Sequence, residues 1–107
     1  MKVSTKLIQN ELYLYLDGEL DQSVADDLRQ QIDQYLDKVN PKKVIFDMKK
    51  LLFMDSTGIG LIMGRYTRMQ SIGGELSVRS PSERVKKIIK LSGLCKIVKI
   101  ENGGEEI

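Results

Sequence analysis

The stretch Phe53-Met54-Asp55-Ser56-Thr57-Gly58-Ile59-Gly60 decides the fold, because it joins a predicted strand to a predicted helix. Upstream, Val44-Ile45-Phe46 is typical of a buried strand. Downstream, apolar residues recur every three or four positions, as on one face of a helix: Ile59, Ile62, Met63, Tyr66 and Met69. Asp55 and Ser56 are both favoured N-cap residues, and the two glycines leave the amides of the first turn uncovered by side chains. The stretch therefore predicts an exposed hydroxyl at the start of a helix.

The beginning of the chain predicts a β-hairpin. Val3 to Ile8 indicates a strand, Gln9-Asn10-Glu11 a turn, and Leu12 to Leu16 a second strand in which leucines alternate with tyrosines. We expect Asp17-Gly18 to end that second strand, because both residues disfavour strand structure.

A long helix is predicted after the hairpin. Asp21 or Ser23 can cap it, and Asn40-Pro41 ends it. Its inner face carries the apolar residues Val24, Ala25, Leu28, Ile32, Leu36 and Val39. The solvated side is marked by the aspartates Asp26, Asp27, Asp33 and Asp37. The run from Val44 to Met48 that follows is apolar except for Asp47, as in a central strand covered on both faces.

The second half of the chain predicts two further helices and two short strands. The helix that begins in the opening stretch ends near Gly73-Gly74, where glycine allows a left-handed termination. Ser80-Pro81-Ser82-Glu83 matches a capping box for a third helix, which is expected to bury Val85, Ile88, Ile89 and Leu91. A last strand is expected over residues 97–100, and a frayed polar tail over residues 101–107.

The predicted order is strand, strand, helix, strand, helix, strand, helix, strand. This order is typical of an α/β fold with a mixed sheet and helices packed on it. The length of 107 residues suits a single domain over residues 1–107, with no internal repeat or linker. Ser56 then lies at the carboxyl end of a central strand, the edge at which open α/β sheets usually bind ligands and partners.

The composition argues against several function classes. The chain has no histidine and one cysteine, Cys95, which removes the Ser-His and Cys-His pairs of hydrolases and most ligands of zinc. A net charge of +2 with 6% aromatic residues does not favour binding to DNA or RNA. We expect no enzyme activity, no metal and no cofactor, and a packing role for Cys95.

The sequence also predicts a cytoplasmic protein. Met1-Lys2-Val3 is not followed by the apolar region of a signal peptide. No apolar run approaches the ~20 residues that a membrane-spanning helix needs. We therefore expect no contact with a membrane.

The glycines raise the possibility of a nucleotide-binding loop. Gly58-Ile59-Gly60 resembles part of a dinucleotide fingerprint, but Met63 stands where the third glycine is required. No Gly-Lys-Ser or Gly-Lys-Thr occurs, so a P-loop is absent as well. The structural alternative is that Asp55 or Ser56 caps the helix and that the glycines allow close packing on the sheet.

Several segments resemble one protein family. The stretch 53–60 is similar to the phosphorylation motif of the bacterial anti-sigma factor antagonists, members of the sulfate transporter and anti-sigma antagonist (STAS) domain family. The similarity extends over nearly the whole chain, through Gly18-Glu19-Leu20-Asp21, Gly64-Arg65-Tyr66, Ile72-Gly73-Gly74-Glu75 and Leu91-Ser92-Gly93-Leu94-Cys95-Lys96-Ile97. The second and third of these segments are most similar to the sporulation stage II members of the family.

The resemblance implies a function in partner switching. Such proteins are not enzymes: they bind an anti-sigma factor that is also a serine kinase, release the sigma factor, and are inactivated when the kinase phosphorylates one serine. A serine phosphatase reactivates them. By position, the phosphoacceptor is Ser56, and Thr57 stands where a second serine is more common. Ser56 lacks a β-methyl group and is expected to precede the helix, whereas Thr57 is expected inside its first turn.

The resemblance and the predicted topology together define a partner-binding edge. Its expected members are Asp21, Asp55, Ser56, Thr57, Gly58, Ile59 and Gly60. Asp55 is expected to shape the loop or contact the partner, and the two glycines to keep the surface low beneath the kinase. The alternatives are a general-stress paralogue with the same mechanism, a STAS domain that binds a nucleotide or lipid, and a module within a transporter or signalling assembly.

Overall fold

The structure is a computed structural model, and it describes residues 1–101 of the chain. The prediction of a frayed tail over residues 101–107 is wrong at Glu101, which belongs to the last strand, and its other residues lie outside the described part. The strands are β1 (Lys2–Ile8), β2 (Glu11–Leu20), β3 (Lys43–Met54), β4 (Glu75–Arg79) and β5 (Lys99–Glu101). The helices are α1 (Gln22–Val39), α2 (Ser56–Ser71) and α3 (Glu83–Ser92), and a short 3-10 helix covers Leu94–Lys96.

The five strands form one mixed sheet in the order β1-β2-β3-β4-β5. β1 is antiparallel to β2, and each later pair of neighbours is parallel. Each parallel pair is joined through one helix, and right-handed crossovers along a sheet that grows in one direction place those helices on the same face. The predicted α/β fold is confirmed.

The core lies between the sheet and the helices. Every second residue of β2 is buried there, at Leu12, Leu14 and Leu16, while the tyrosines between them are partly exposed on the opposite face. Phe46 near the start of β3 is fully buried, and complete burial of such a side chain contributes about 1.5–3 kcal/mol. This packing holds β3, and therefore the residues that follow it, in a fixed position.

The second face of β3 is buried in a different way from the prediction. Asp47 is only 7% exposed although the described helices lie on the other face of the sheet. Side chains of the neighbouring strands cover it, among them Arg79 of β4, whose Nε lies 3.4 Å from its carboxylate. A covering helix is therefore not needed to bury this position.

Both central strands are longer than predicted. β2 continues through Asp17-Gly18 to Leu20, and it accommodates these residues by two shifts of register against β3. β3 continues past Met48 to Met54, because it stays paired with β2 over this length. Local residue preferences cannot indicate such an extension, since the pairing partner lies far away in the sequence.

The third helix begins later than predicted. Ser82 is the N-cap of α3, and its Oγ accepts a hydrogen bond from the N–H of Val85 over 3.2 Å. The capping box predicted from Ser80 is therefore wrong. The N–H of Ser80 donates instead to the carbonyl oxygen of Glu101 over 2.9 Å, so Ser80 continues the pairing of β4 with β5.

Two side chains predicted to be buried are exposed. Leu91 is 79% exposed, because the inner face of α3 is formed by Val85 and Ile89. Cys95 is also exposed, in the 3-10 helix whose buried residue is Leu94. The predicted packing role of Cys95 is therefore wrong.

Candidate functional site

Two neighbouring parallel strands end side by side at the carboxyl edge of the sheet. Leu20 and Met54, the last residues of β2 and β3, are paired in register. Directly after them, the N–H of Asp55 donates to the carbonyl oxygen of Leu20 over 3.3 Å. The structure therefore places Asp21 and Asp55 next to each other, at the starts of α1 and α2.

Asp55 is the N-cap of α2. Its backbone is extended, and its Oδ1 accepts hydrogen bonds from the N–H of Thr57, over 2.9 Å, and from the hydroxyl of Thr57. Its main-chain carbonyl accepts the N–H of Gly58 over 3.0 Å. Asp55 thus sets the first residue of the helix and at the same time engages the Thr57 hydroxyl.

Ser56 is the first residue of α2, and it is exposed. The prediction that Ser56 precedes the helix is wrong by one position, because Asp55 is the N-cap and the helix begins at Ser56. Within residues 1–101, the Ser56 hydroxyl has no hydrogen-bond partner. The edge therefore presents one engaged hydroxyl, on Thr57, beside one that is available on Ser56.

Asp21 repeats this arrangement at the start of α1. Its Oδ1 accepts the N–H of Ser23 over 2.9 Å and the hydroxyl of Ser23 over 2.6 Å. Of the two caps predicted for this helix, Asp21 is the one observed. The hydrogen bond from the Ser23 hydroxyl is the main cause that holds the pKa of Asp21 below its ordinary value, because it stabilises the ionised carboxylate.

The two glycines at the start of α2 have different surroundings. Gly58 is buried, and a Cβ at this position would lie 2.7 Å from the sulfur of Met54 and 3.1 Å from a methyl carbon of Leu20. Gly60 is exposed, with open space where a Cβ would stand. The absence of a side chain at Gly58 therefore allows α2 to pack closely on Leu20 and Met54 at the strand ends. Gly60 lies on the outer side of the helix. Ile59, between them, is partly buried against the core.

Ion pairs that the sequence analysis did not predict join α1 to α2. The Nε of Arg65 lies 3.2 Å from Oδ1 of Asp33, and Arg68 bridges Asp33 and Asp37. Burial lowers the pKa of Arg65 from its ordinary value, and the charge of Asp33 opposes this shift. We predicted these aspartates to be a solvated face only. The available signal was a pair of aspartates four residues apart on α1 and a pair of arginines three residues apart on α2, because either spacing places both side chains on one helix face.

Two kinds of feature are absent from the described part of the chain, a cluster of metal ligands and a membrane-spanning helix. No group of three or more His, Cys, Asp or Glu side chains in residues 1–101 is placed to hold a metal ion. The helices there are all too short or too polar to span a membrane.

Sequence comparison identifies the family. The model of the STAS domain matches residues 2–107. The anti-sigma F factor antagonist of Paenibacillus polymyxa is 37% identical over 89 residues, which cover 83% of this chain and 76% of that protein. The anti-sigma-B factor antagonist of Bacillus subtilis is 27% identical over 105 residues, which cover 98% of this chain and 94% of that protein.

Comparison with solved structures agrees. The unphosphorylated form of the anti-sigma factor antagonist SpoIIAA superposes with a TM-score of 0.82 at 26% identity, covering 97% of this chain and 91% of that one. The phosphorylated form of the Bacillus protein SpoIIAA superposes with a TM-score of 0.74 at 25% identity, covering 97% and 95%. The chain therefore belongs to the STAS domain family, in its branch of anti-sigma factor antagonists.

Proposed function

We propose that this protein is an anti-sigma factor antagonist that is switched by phosphorylation of Ser56. In this proposal a serine kinase that is also an anti-sigma factor binds the edge formed by Asp21 and the start of α2, and releases its sigma factor. The observation that carries the proposal is the contrast between two adjacent hydroxyls: Thr57 donates to Asp55, whereas Ser56 is exposed. The names of the relatives support the class of partner.

The protein is a binding partner and a substrate in this proposal, and it is not an enzyme. It works in the cytoplasm, and a serine phosphatase restores its active form. The partner surface consists of Asp21, Asp55, Ser56, Thr57, Ile59 and Gly60, with Gly58 supporting it from beneath.

The position of Ser56 accounts for a switch that leaves the fold intact. A phosphoryl group adds roughly −1.5 to −2 charge at pH 7. At the first residue of α2 this charge lies beside the helix N-terminus, which stabilises a nearby anion by about 0.3–2 kcal/mol. In the complex, the same charge would be crowded against the nucleotide phosphates of the kinase, and such a like-charge contact costs several kcal/mol. Phosphorylation therefore weakens binding without unfolding the protein.

The sigma factor of this proposal is the sporulation factor. The 37% identity to an anti-sigma F factor antagonist supports this choice. A general-stress function is the second candidate, because the match to an anti-sigma-B factor antagonist covers 98% of the chain. Competition assays distinguish them: the protein is added to preformed complexes of each anti-sigma factor with its sigma factor, and the preferred complex is the one that releases sigma at the lower concentration.

The phosphorylation proposal is tested with the candidate kinase, ATP and mass spectrometry. We expect one phosphate, on Ser56, in the unmodified protein and in Thr57→Ala, and none in Ser56→Ala. Ser56→Asp should keep the circular dichroism spectrum and melting temperature of the fold but bind the kinase weakly. Phosphate on Thr57 of the Ser56→Ala variant would show that the acceptor is wrongly assigned.

A further inference from the structure

The described helices leave one face of the sheet open. On this face, strands β1 to β4 line a groove of about 550 Å³, which we call the outer groove. Its floor includes Tyr13 and Tyr15 of β2, Asp47 of β3 and Arg79 of β4. The edge that carries Ser56 does not contribute to it. The outer groove is therefore a feature separate from the proposed kinase-binding surface.

The floor of the outer groove is held by contacts among its own side chains. The rings of Tyr13 and Tyr15 stack with centroids 6.2 Å apart and an angle of 15° between their planes. The guanidinium of Arg79 lies 5.7 Å from the centroid of the Tyr13 ring, and its Nε is 3.4 Å from Asp47. Because Asp47 is buried and Arg79 joins it to the tyrosines, the floor is pre-organised.

The outer groove is strongly cationic. Five cationic side chains line it, Lys2, Lys6, Lys49, Lys50 and Arg79, against the two carboxylates of Asp17 and Asp47. The surplus of three positive charges exceeds the net charge of the whole chain, which is +2. The four lysines are exposed, so their charge is presented to solvent. Such a concentration of one sign attracts an anionic partner.

The spacing of the lysines favours an extended anion over a single phosphate. Lys2 and Lys6 are separated along β1 by roughly 14 Å, from the rise of an extended strand. Lysine acts as a mobile point charge and does not form the rigid fork with which arginine holds one phosphate. A polypeptide with acidic side chains on alternate residues places its carboxylates roughly 7 Å apart, so every second carboxylate matches the separation of Lys2 and Lys6.

The aromatic residues favour a polypeptide over a single-stranded nucleic acid. Bases bind such sheets by stacking on ring faces. Here the Tyr13 ring is already engaged, by stacking with Tyr15 and by the guanidinium of Arg79. The partly exposed tyrosines, together with exposed Ile8 at one end of the groove, offer apolar surface to side chains placed between acidic ones. The charge and the apolar surface of the groove thus favour the same class of ligand, an extended acidic polypeptide.

We infer that the outer groove binds an extended acidic segment of a protein partner, in which acidic and apolar residues alternate. This inference goes beyond the proposed switch at Ser56 and does not depend on it. Because the two surfaces are separate, Ser56→Ala and Ser56→Asp should bind such a segment equally well. A failure of either proposal can therefore be distinguished from a failure of the other.

The test is a titration by fluorescence anisotropy with a labelled peptide of alternating glutamate and valine, about ten residues long so that it spans the groove. Lys6→Gln combined with Lys49→Gln should weaken binding roughly tenfold, since two attractive charges are removed. The matched control is Lys87→Gln combined with Lys90→Gln on α3, which makes the same change in charge on the helical side and should leave binding unchanged. Raising NaCl from about 50 to 300 mM should weaken binding in the unmodified protein.

The titration is repeated on a variant that carries both Glu105→Gln and Glu106→Gln. These two residues have the same charge as the peptide, and the variant removes them as competitors for the lysines. The inference is supported if the peptide binds the unmodified protein or the glutamine variant, if Lys6→Gln with Lys49→Gln weakens this binding, and if the control substitutions on α3 leave it unchanged. Absence of binding in both forms would overturn it. So would equal losses in the two lysine variants, or displacement of the peptide by an equimolar oligothymidylate or by vesicles of anionic lipid.

Discussion

The N–H of Asp55 donates to the carbonyl oxygen of Leu20 over 3.3 Å, and this bond joins the ends of two parallel strands. Each strand is followed by an aspartate that caps a helix, Asp21 before α1 and Asp55 before α2. The proposed switch residue is thus held between a hydrogen-bonded strand end and a capped helix. Neither depends on a bound partner, so the edge is ready for recognition before any complex forms.

Removing the cap of α2 should weaken the fold and release a second hydroxyl. We expect Asp55→Ala to lower the free energy of unfolding by about 1 kcal/mol, because the N–H of Thr57 loses its acceptor. Asp55→Asn keeps an acceptor oxygen and should cost less than half as much. Urea denaturation measures both. Equal midpoints for the alanine variant and the unmodified protein would contradict the capping role.

The two glycines of α2 should respond to alanine in opposite directions. Gly58→Ala should destabilise the protein by about 1–3 kcal/mol, because the new methyl group overlaps the side chain of Met54. Gly60→Ala, the matched control, should stabilise it by about 0.5–1 kcal/mol, since its Cβ enters open space and alanine favours helix.

A double-mutant cycle tests whether Met54 causes the loss of stability expected in Gly58→Ala. Shortening Met54 makes room for the new methyl group, so Gly58→Ala should cost less in a Met54→Ala background. Additive losses in thermal unfolding would mean that the methyl group is opposed by the backbone or by Leu20 and not by Met54.

The ion pair between α1 and α2 should contribute more to the free energy of unfolding than an exposed pair does. Asp33→Asn leaves the guanidinium of Arg65, whose side chain is 12% exposed, without its compensating charge. We expect the free energy of unfolding, measured by chemical denaturation, to fall by about 1–2 kcal/mol. This is less than for a fully buried pair, because Asp33 is one-third exposed. Asp26→Asn, which removes an exposed pair with Arg29, is the control and should change stability by less than about 0.5 kcal/mol. Equal effects of the two substitutions would contradict this difference.

The pKa of Asp21 should depend on Ser23. In the folded state this pKa lies below its ordinary value of 3.8, chiefly because of the hydrogen bond from the Ser23 hydroxyl. The associated stability is therefore present above pH 3.8 and is lost as the pH falls through the lower folded-state pKa. In Ser23→Ala the pKa of Asp21 should rise toward 3.8, as followed by NMR titration of its carboxyl carbon. An unchanged titration midpoint would show that the backbone bonds alone maintain the shift.

Much of the fold was predictable because it depends on neighbours in the sequence. Alternating leucines indicated β2, and apolar residues at helical spacing indicated α1 and α2. The candidate caps, Asp21 or Ser23 for α1 and Asp55 or Ser56 for α2, marked where these helices begin. The exposed position of Ser56 followed from the same local chemistry. The start of α3 was misplaced because Ser80 and Ser82 are both residue types that favour a cap. In the structure Ser80 instead has a positive φ and donates its N–H to Glu101.

The sequence by itself indicated the order of the elements, two candidate caps for each of α1 and α2, and the hydroxyl at the start of α2, since each rests on residues within one helical turn or one strand. Only the tertiary structure decided that β3 extends to Met54, that Gly58 is buried under the strand ends, and that Arg65 pairs with Asp33. These features, like the outer groove, require segments distant in the chain to meet. Their positions follow from the register of parallel strands, which local residue preferences do not specify.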